Sequence, residues 1–387
     1  MKCIGCGVKL QTLDPEKEGY VSEIHMIENG EEVYCKRCYD IIHYNKRYIP
    51  NTDNELFYKK MIDVKNKHPE DVICLMLDVL DIYGGFVEIL PKLIGEMKVI
   101  LLINKIDIMP KSLKLIHIED TTRELGKKMG LNVVAVYSIS AKSKSNIESV
   151  IRKIDKLRYS RYHKKPLFSN CYVVGVASVG KSTFINAVKD LCGVDTPPIT
   201  TSDQFQTTLD IIKVELGNKL YIHDTPGIVN THSFTHYLSY DSVKILTPKK
   251  FLRVRTYQLT SLQTLFLGGL VELDFEEGKN INVSLFVSNE LYVHRTKLEN
   301  ALKIKEQQKF KLLVPPLTTE EVENLGKEHE VTLELDDDKF YDLIIPGIGF
   351  IHMKGNNVKF TLKMSSKVTF KLVESILSWQ PLKNLKK

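Results

Sequence analysis

The sequence predicts an α/β chain in three parts: a small cysteine module, a doubly wound parallel sheet and a β-rich tail. Three observations lead there. Two Cys-x-x-Cys pairs stand near the N-terminus. From about 55 to 240 short apolar runs alternate with amphipathic stretches, and after about 250 the pattern turns to short segments of period two. The expected boundaries are 1–45, 46–245 and 246–387.

In the first part, Cys3 and Cys6 form one pair and Cys35 and Cys38 a second, with 28 residues between the pairs. Two thiolates at this spacing can bite one tetrahedral zinc ion, and two such bites close a four-sulfur site. The small residues of "IGCG" let the backbone approach the sulfurs, and a hairpin over "YVSEIHMIENGEEVYC" is expected to fill the gap. His25 and His43 are spare ligands. Cys74, Cys171 and Cys192 fall in strand or helix patterns and are expected in the core.

The second part reads strand "DVICLMLDV", helix "FVEILPKLIGEM", strand "KVILLIN", helix "IEDTTRELGKKMG", strand "NVVAVYSIS" and helix "NIESVIRKIDKLR". After a basic linker come strand "NCYVVGV", helix "KSTFINAVKDL", and strands "TLDIIKVEL" and "KLYIHDTPG". Strand and helix alternating at this spacing form parallel βαβ units. In the tail, "INVSLFVSN", "VTLELDD", "YDLIIPG", "IGFIHMKG", "NVKFTLKM" and "KVTFKLVES" read as short strands.

Composition narrows the function classes. With 387 residues, 43% hydrophobic and 26% charged, the chain can bury several cores. No apolar run approaches the ~20 residues of a spanning helix, and "MKCIGCG" lacks a signal-peptide core, so a cytoplasmic protein without a membrane span is expected. Net charge is only +6, but "IRKIDKLRYSRYHKKP" (151–166) carries seven basic residues and "KILTPKKFLRVR" (244–255) five. Such runs are solvated faces or nucleic-acid contacts. Their interleaved aromatics favour RNA, and no DNA partner is expected.

The chemistry lies at the strand ends. "GVASVGKST" (175–183) follows an apolar strand and opens a helix, the setting of a phosphate loop. Gly175 and Gly180 permit the tight turn, and the N–H groups through Ser178, Val179 and Thr183 face phosphate at a helix N-terminus. Lys181 supplies a point charge and Ser182 a hydroxyl for Mg2+. "IHDTPG" (222–227) offers Asp224 to Mg2+ through water and the Gly227 N–H to a γ-phosphate. "TTSDQFQTTLD" (200–210) lies where a first switch loop belongs, with Thr208 favoured over Thr207 as the metal-reaching threonine. Asn104, Lys105 and Asp107 form N-K-x-D. A carboxylate at 107 accepts both the N1 and N2 protons of guanine, whereas adenine would leave it without donors. Ser140, Ala141 and Lys142 resemble the backbone clamp on the guanine O6.

These motifs belong to a GTPase, yet N-K-x-D precedes the phosphate loop. An ordinary Ras-like sheet, cut after the D-x-x-G strand and its helix and rejoined through 158–170, has this order; such permutation is tolerated where domain termini lie close together. The fold class is therefore a circularly permuted P-loop GTPase domain between a zinc knuckle and a β-rich domain. The second switch then runs straight into the tail.

Zinc knuckle, permuted motifs and β-rich tail together resemble the bacterial YqeH-type circularly permuted GTPases, which are related to plant and mitochondrial nitric-oxide-associated proteins. The resemblance extends to "CIGCG" with "CKRC", "HDTPGI", "LTPKK", "QTLFLGGLVELD" (263–274) and "NELYVHRTKLENA" (289–301). It implies a GTP-binding and GTP-hydrolysing switch, with GTP/GDP, Mg2+ and Zn2+ as cofactors. The implied partner is the small ribosomal subunit, through rRNA or ribosomal protein. Two departures bear on mechanism. Ile228 stands where many GTPases have a water-orienting glutamine, so a slow intrinsic rate is expected. Relatives pair such a residue with a phosphate-loop asparagine that binds K+; here Ser178 is a shorter and poorer bridge. Gln206 also replaces a glycine usual in the family. Lys249, Lys250, Arg253 and Arg255 are candidates for nucleotide-dependent RNA contact or merely exposed, and Arg295 contacts RNA or pairs with Glu272 or Asp274. Two other readings are a nucleotide-gated scaffold that hardly hydrolyses GTP, and a GTPase serving an RNA-modifying partner.

Overall fold

The computed structural model describes residues 1–15, 17–22, 33–44, 55–159, 165–195, 199, 211–337 and 339–375. The chain divides into two compact units, Met1–Asp107 with Glu119–Val229, and Ile108–Ile118 with Asn230–Lys387.

The first unit contains a six-stranded sheet in the order β3-β2-β1-β4-β6-β5. The strands are β1 (Val72–Asp78), β2 (Lys98–Asn104), β3 (Asn132–Ser138), β4 (Asn170–Val174), β5 (Ile212–Gly217) and β6 (Leu220–Asp224). β1 pairs in parallel with both β2 and β4, β2 with β3, and β4 with β6. Helices cover both faces of such a sheet, so its central strands are continuous apolar runs; all of Val72–Leu77 is buried. Each such Leu or Ile contributes about 1.5–3 kcal/mol on burial. β5 is the exception, antiparallel to β6. Gly217, Asn218 and Lys219 all take positive φ in the tight turn that joins them.

The helix expected over 86–97 is replaced by two short ones, Ile82–Gly85 and Leu90–Ile94. The Asp81 carboxylate caps the first by accepting from the Gly84 N–H at 2.9 Å, Pro91 opens the second, and Gly95 ends it at φ 58°. Cys74 and Cys171 are buried on β1 and β4 with their sulfurs 3.4 Å apart, as core residues should be, but Cys192 is exposed at the end of its helix. The ends of the permutation linker meet on one side chain. Arg158, fully buried at the end of helix Ile147–Arg158, donates to the Phe168 carbonyl (3.2 Å) and to the Asn218 carbonyl (2.6 Å), while Leu167 N–H returns to the Arg158 carbonyl (2.7 Å). Residues 160–164 of that basic run lie outside the described residues.

The second unit begins at Asn230, earlier than the expected boundary at 245, and it also takes in Ile108–Ile118. Local hydrogen bonds give the reason. Phe234 N–H donates to the Pro346 carbonyl, Thr369 N–H to the His232 carbonyl, and Ser239 N–H and the Ser242 hydroxyl to the Glu321 carboxylate. Leu252 N–H donates to the Ile108 carbonyl at 2.8 Å.

Its eight-stranded sheet runs β10-β8-β9-β13-β12-β14, with β7 also on β9 and β11 also on β13. The strands are β7 (Arg255–Leu259), β8 (Gln263–Leu267), β9 (Val271–Val287), β10 (Val293–Lys297), β11 (Glu328–Leu335), β12 (Tyr341–Ile345), β13 (Gly349–Ser365) and β14 (Lys371–Glu374). The two segments read as separate strands at 348–355 and 357–364 are one 17-residue strand, β13. It bends opposite β9 where the register shifts between Lys354 and Lys359. Gly355 permits the bend: a Cβ there would lie 2.4 Å from the Val358 side chain. Arg295 does not reach Glu272 or Asp274; its guanidinium donates to the Gln258 carbonyl at 3.3 Å. Lys305 (2.9 Å) and Lys363 (3.2 Å) hold Glu272, and Lys363 holds Asp274 at 2.7 Å.

Candidate nucleotide site and metal centre

The ends of β2, β3, β4 and β6 lie along one edge of the sheet, because all four strands are parallel and adjacent but for β1. The sequence-predicted motifs therefore converge. Asn104, the last residue of β2, is buried and ties two of them together: its Nδ2 donates to the Val179 carbonyl of the phosphate loop at 2.7 Å, and its Oδ1 accepts from the Ala141 N–H at 2.9 Å. A Cβ on Gly180 would lie 2.5 Å from Asn104 Nδ2, so the loop passes where only glycine fits. Asp107 is exposed at the edge, and its Oδ1 accepts from the Ser140 hydroxyl at 2.7 Å. Lys105 adopts φ 70° and its ammonium lies 2.6 Å from Asp78 Oδ2.

The phosphate loop is built as its spacing implies. A Cβ on Gly175 would meet the Met76 carbonyl at 2.5 Å. Ser178 is exposed at φ 63°, and Thr183 is half-buried in the first turn of helix Lys181–Cys192. Lys181 is buried and folds back on the loop, its Nζ donating to the Gly175 carbonyl (3.2 Å) and the Val176 carbonyl (3.1 Å). Burial pushes its ammonium down to about 8, against the opposing pull of Asp224. The Ser182 hydroxyl donates to Asp224 Oδ2 at 2.7 Å, which brings together two hard oxygens of the kind that magnesium accepts as ligands.

The D-x-x-G segment is zipped to the loop: Ile228 N–H donates to the Gly175 carbonyl (3.1 Å) and Ala177 N–H to the Ile228 carbonyl (2.9 Å). A Cβ on Gly227 would sit 2.7 Å from Ala177 Cα, which explains the glycine. Ile228 is buried. Beside Asp224, His223 stacks on Tyr172 at 4.4 Å and lies 3.0 Å from Asn170 Oδ1; burial pushes its imidazole down to about 4, so it stays neutral. Lys142 is exposed. Thr208, Thr207 and Gln206 lie outside the described residues. The Asn186 amide both donates to and accepts from the Ile199 backbone (2.8 and 2.9 Å).

Asp78, Asn186 and Arg158 were not singled out by sequence. For Asp78 a signal existed: it ends an apolar strand as Asn104 does, and the two are register partners. Asn186 and Arg158 act on backbone groups, which no motif records.

At the N-terminus the four cysteine sulfurs lie within 4.8 Å of one another, all buried. Cys6 and Cys35 sulfurs are 3.8 Å apart, close to the edge of a tetrahedron with ~2.3 Å metal–sulfur bonds. Gly7 at φ 77° turns the first knuckle, with its N–H on the Cys3 carbonyl at 2.9 Å, and Cys35 N–H donates to Cys3 Sγ at 3.2 Å. Hydrogen bonds among the thiols lower Cys3 and raise Cys6 and Cys38. This donor set fits Zn2+. His25 and the expected hairpin over 23–32 lie outside the described residues, as does the His43 side chain.

Comparison with known proteins gives the family. The protein YqeH of Bacillus subtilis (strain 168) is 34% identical over 363 residues, covering 93% of this chain and 94% of its own. This chain belongs to the YqeH family. A family model for the YqeH-like C-terminal region matches residues 280–376, and one described as 50S ribosome-binding GTPase matches 170–262. The second match starts at β4 with N-K-x-D left upstream, as the permuted order requires. Among other relatives of this YqeH-family chain, NO-associated protein 1, chloroplastic/mitochondrial, of Arabidopsis thaliana is 26% identical over 91% of this chain and 69% of its own. Ribosome biogenesis GTPase A of Bacillus pumilus is 30% identical over 27% of this chain and 36% of its own. The chain thus carries a P-loop GTPase domain, which implies GTP/GDP binding and hydrolysis, a β-rich C-terminal part and a cysteine cluster able to hold zinc. Among the described residues no helix is long and apolar enough to cross a membrane.

Proposed function

We propose that this protein is a cytoplasmic GTP-driven switch in assembly of the small ribosomal subunit, contacting rRNA or ribosomal protein according to the bound nucleotide. One observation carries the nucleotide half of this reading: Asn104 joins the base-reading motif, the Ser140–Lys142 clamp and the phosphate loop through two buried hydrogen bonds. Asp107 reads guanine, with Ser140 orienting its carboxylate. The N–H groups of the 175–183 loop and Lys181 hold the phosphates, with Lys181 leaving the Gly175 and Val176 carbonyls to do so. Ser182 and Asp224, joined by Thr208, are the residues to hold Mg2+, which would neutralise phosphate charge when bound. Gly227 is the sensor, and the chain passes from it into the second unit at Asn230.

The ribosomal half rests on family membership and on the name of the related ribosome biogenesis GTPase. The matching model's 50S description makes the large subunit the rival target. Co-sedimentation with isolated subunits, at two salt concentrations and with GDP or a non-hydrolysable GTP analogue, tests it. Salt-resistant binding to the small subunit only with the GTP form is expected; binding to the large subunit, or equal binding with both nucleotides, refutes it.

A second reading is a nucleotide-gated scaffold with little hydrolysis. Ile228 favours it, being buried with both backbone groups on the phosphate loop and no side-chain group to orient water. Turnover stimulated by the small subunit in K+ would eliminate this reading; Ser178 is the residue on which any K+ dependence would rest.

A further inference from the structure

The sequence left the run 244–255 open between solvated face and RNA contact. In the structure it is not a flexible basic tail. Asn289 clamps it from both sides, its Oδ1 accepting from Arg253 N–H at 2.8 Å and its Nδ2 donating to the Phe251 carbonyl at 2.9 Å. Arg255 extends the lacing: its guanidinium donates to the carbonyls of Leu291 (2.8 Å) and Ser288 (3.2 Å), which makes it a rivet and removes it from the RNA-contact candidates.

Each laced segment presents one aromatic side chain beside a buried leucine. Leu252 is buried between exposed Phe251 and Arg253, and Tyr292 is exposed between buried Leu291 and Val293. Ser288–Leu291 is a turn closed by the Leu291 N–H on the Ser288 carbonyl at 3.3 Å, and Tyr292 leads from it into β10. Two aromatics are thus held out on ordered backbone, Phe251 48% and Tyr292 41% exposed, although burying them would stabilise the fold. Lys249, Lys250 and Arg253 are exposed around the first. On the Tyr292 side the exposed charge is Glu290, so the cations gather around Phe251. An aromatic face beside cations on ordered backbone suits unpaired bases, whereas a duplex keeps its bases stacked and offers phosphates and 2′-hydroxyls.

We propose that Lys249–Arg255 and Ser288–Tyr292 form a stacking ledge for single-stranded RNA, with Phe251 and Tyr292 taking bases and Lys249, Lys250 and Arg253 taking phosphates. This deepens the RNA reading given above and rests on it. The ledge is tolerant of sequence, since every base has a π-face.

The test uses the full chain with GDP and fluorescence anisotropy of two labelled probes, a uridine single strand of about 12 nucleotides and a mixed-sequence RNA duplex of about 12 base pairs, lengths within the usual site size. Phe251→Ala and Tyr292→Ala should each weaken single-strand binding about tenfold with the salt slope unchanged, and Phe251→Trp should restore it. Lys250→Gln and Arg253→Gln should weaken both probes, each lowering the single-strand salt slope by about 0.7. Single-strand affinity within twofold of wild type in both alanine variants overturns the ledge. Absence of RNA binding by the wild type overturns it too, and if Phe251→Ala then lost subunit co-sedimentation, the face would be a protein contact. Intact single-strand binding without subunit co-sedimentation would instead defeat the ribosomal reading and leave the ledge standing.

Discussion

Replacing Asn104 by alanine tests the linkage between the base-reading motif and the phosphate loop. The substitution removes two hydrogen bonds, to Val179 carbonyl at 2.7 Å and from Ala141 N–H at 2.9 Å, both in buried surroundings. A net hydrogen bond is worth about 1 kcal/mol, and a buried group left without its partner costs about 1–3 kcal/mol. If the loop relaxes to recover part of this, the remaining loss is about 2–4 kcal/mol, or roughly 30- to 1000-fold in nucleotide affinity. The assay is calorimetric titration with GDP and, separately, with pyrophosphate, which carries the phosphates without the base. Asn104→Ala should weaken both ligands, because the Val179 carbonyl loses its anchor. Asp107→Ala, which touches only the base side, should weaken GDP and leave pyrophosphate unchanged. Unaltered pyrophosphate binding in Asn104→Ala would refute the claim that this side chain holds the loop.

Asp107→Asn should exchange a guanine preference for xanthine, measured by competition between GDP and XDP; a variant still selective for GDP would put base reading elsewhere. Nucleotide affinity should also depend on pH through Lys181. Burial holds its ammonium at about 8 in the free protein, and bound phosphate raises it, so affinity is full below pH 8 and falls by up to about tenfold per pH unit above it. Flat GDP affinity from pH 7 to 9 would contradict this. The native protein should contain about one zinc per chain by metal analysis, and Cys35→Ser with Cys38→Ser should lose it; retained zinc in that variant would exclude the four-sulfur site.

Much of this molecule was legible in its sequence because short motifs state their own geometry. "GVASVGKST" after an apolar strand specifies loop, helix and phosphate cradle. Four cysteines in two pairs specify a buried four-sulfur cluster, and the order of N-K-x-D before the loop specifies the permuted sheet. Less legible was whatever depends on main-chain partners far away in sequence. Arg158 ties the linker, at the Phe168 carbonyl, to the β5–β6 turn, at the Asn218 carbonyl, and Asn186 holds Ile199 through its backbone. The bend in β13 depends on Gly355 opposing a shifted register, so a strand whose pattern breaks at 355–357 looks like two. Arg295 had a plausible acid in sequence, but Lys305 and Lys363 occupy it.

By itself, then, the sequence determined the class of chemistry, because nucleotide and metal ligands must be particular residue types at short spacings along one strand end or knuckle. Tertiary structure alone decided how those pieces are coupled. Asn104 reaches Val179 across 75 positions, Asn289 reaches back to Phe251 and Arg253, and the second unit claims the chain from Asn230. Such couplings rest on single hydrogen bonds to backbone groups. Any residue supplies a backbone carbonyl or all but proline an N–H, so the partner leaves no mark in the sequence until the fold brings it near.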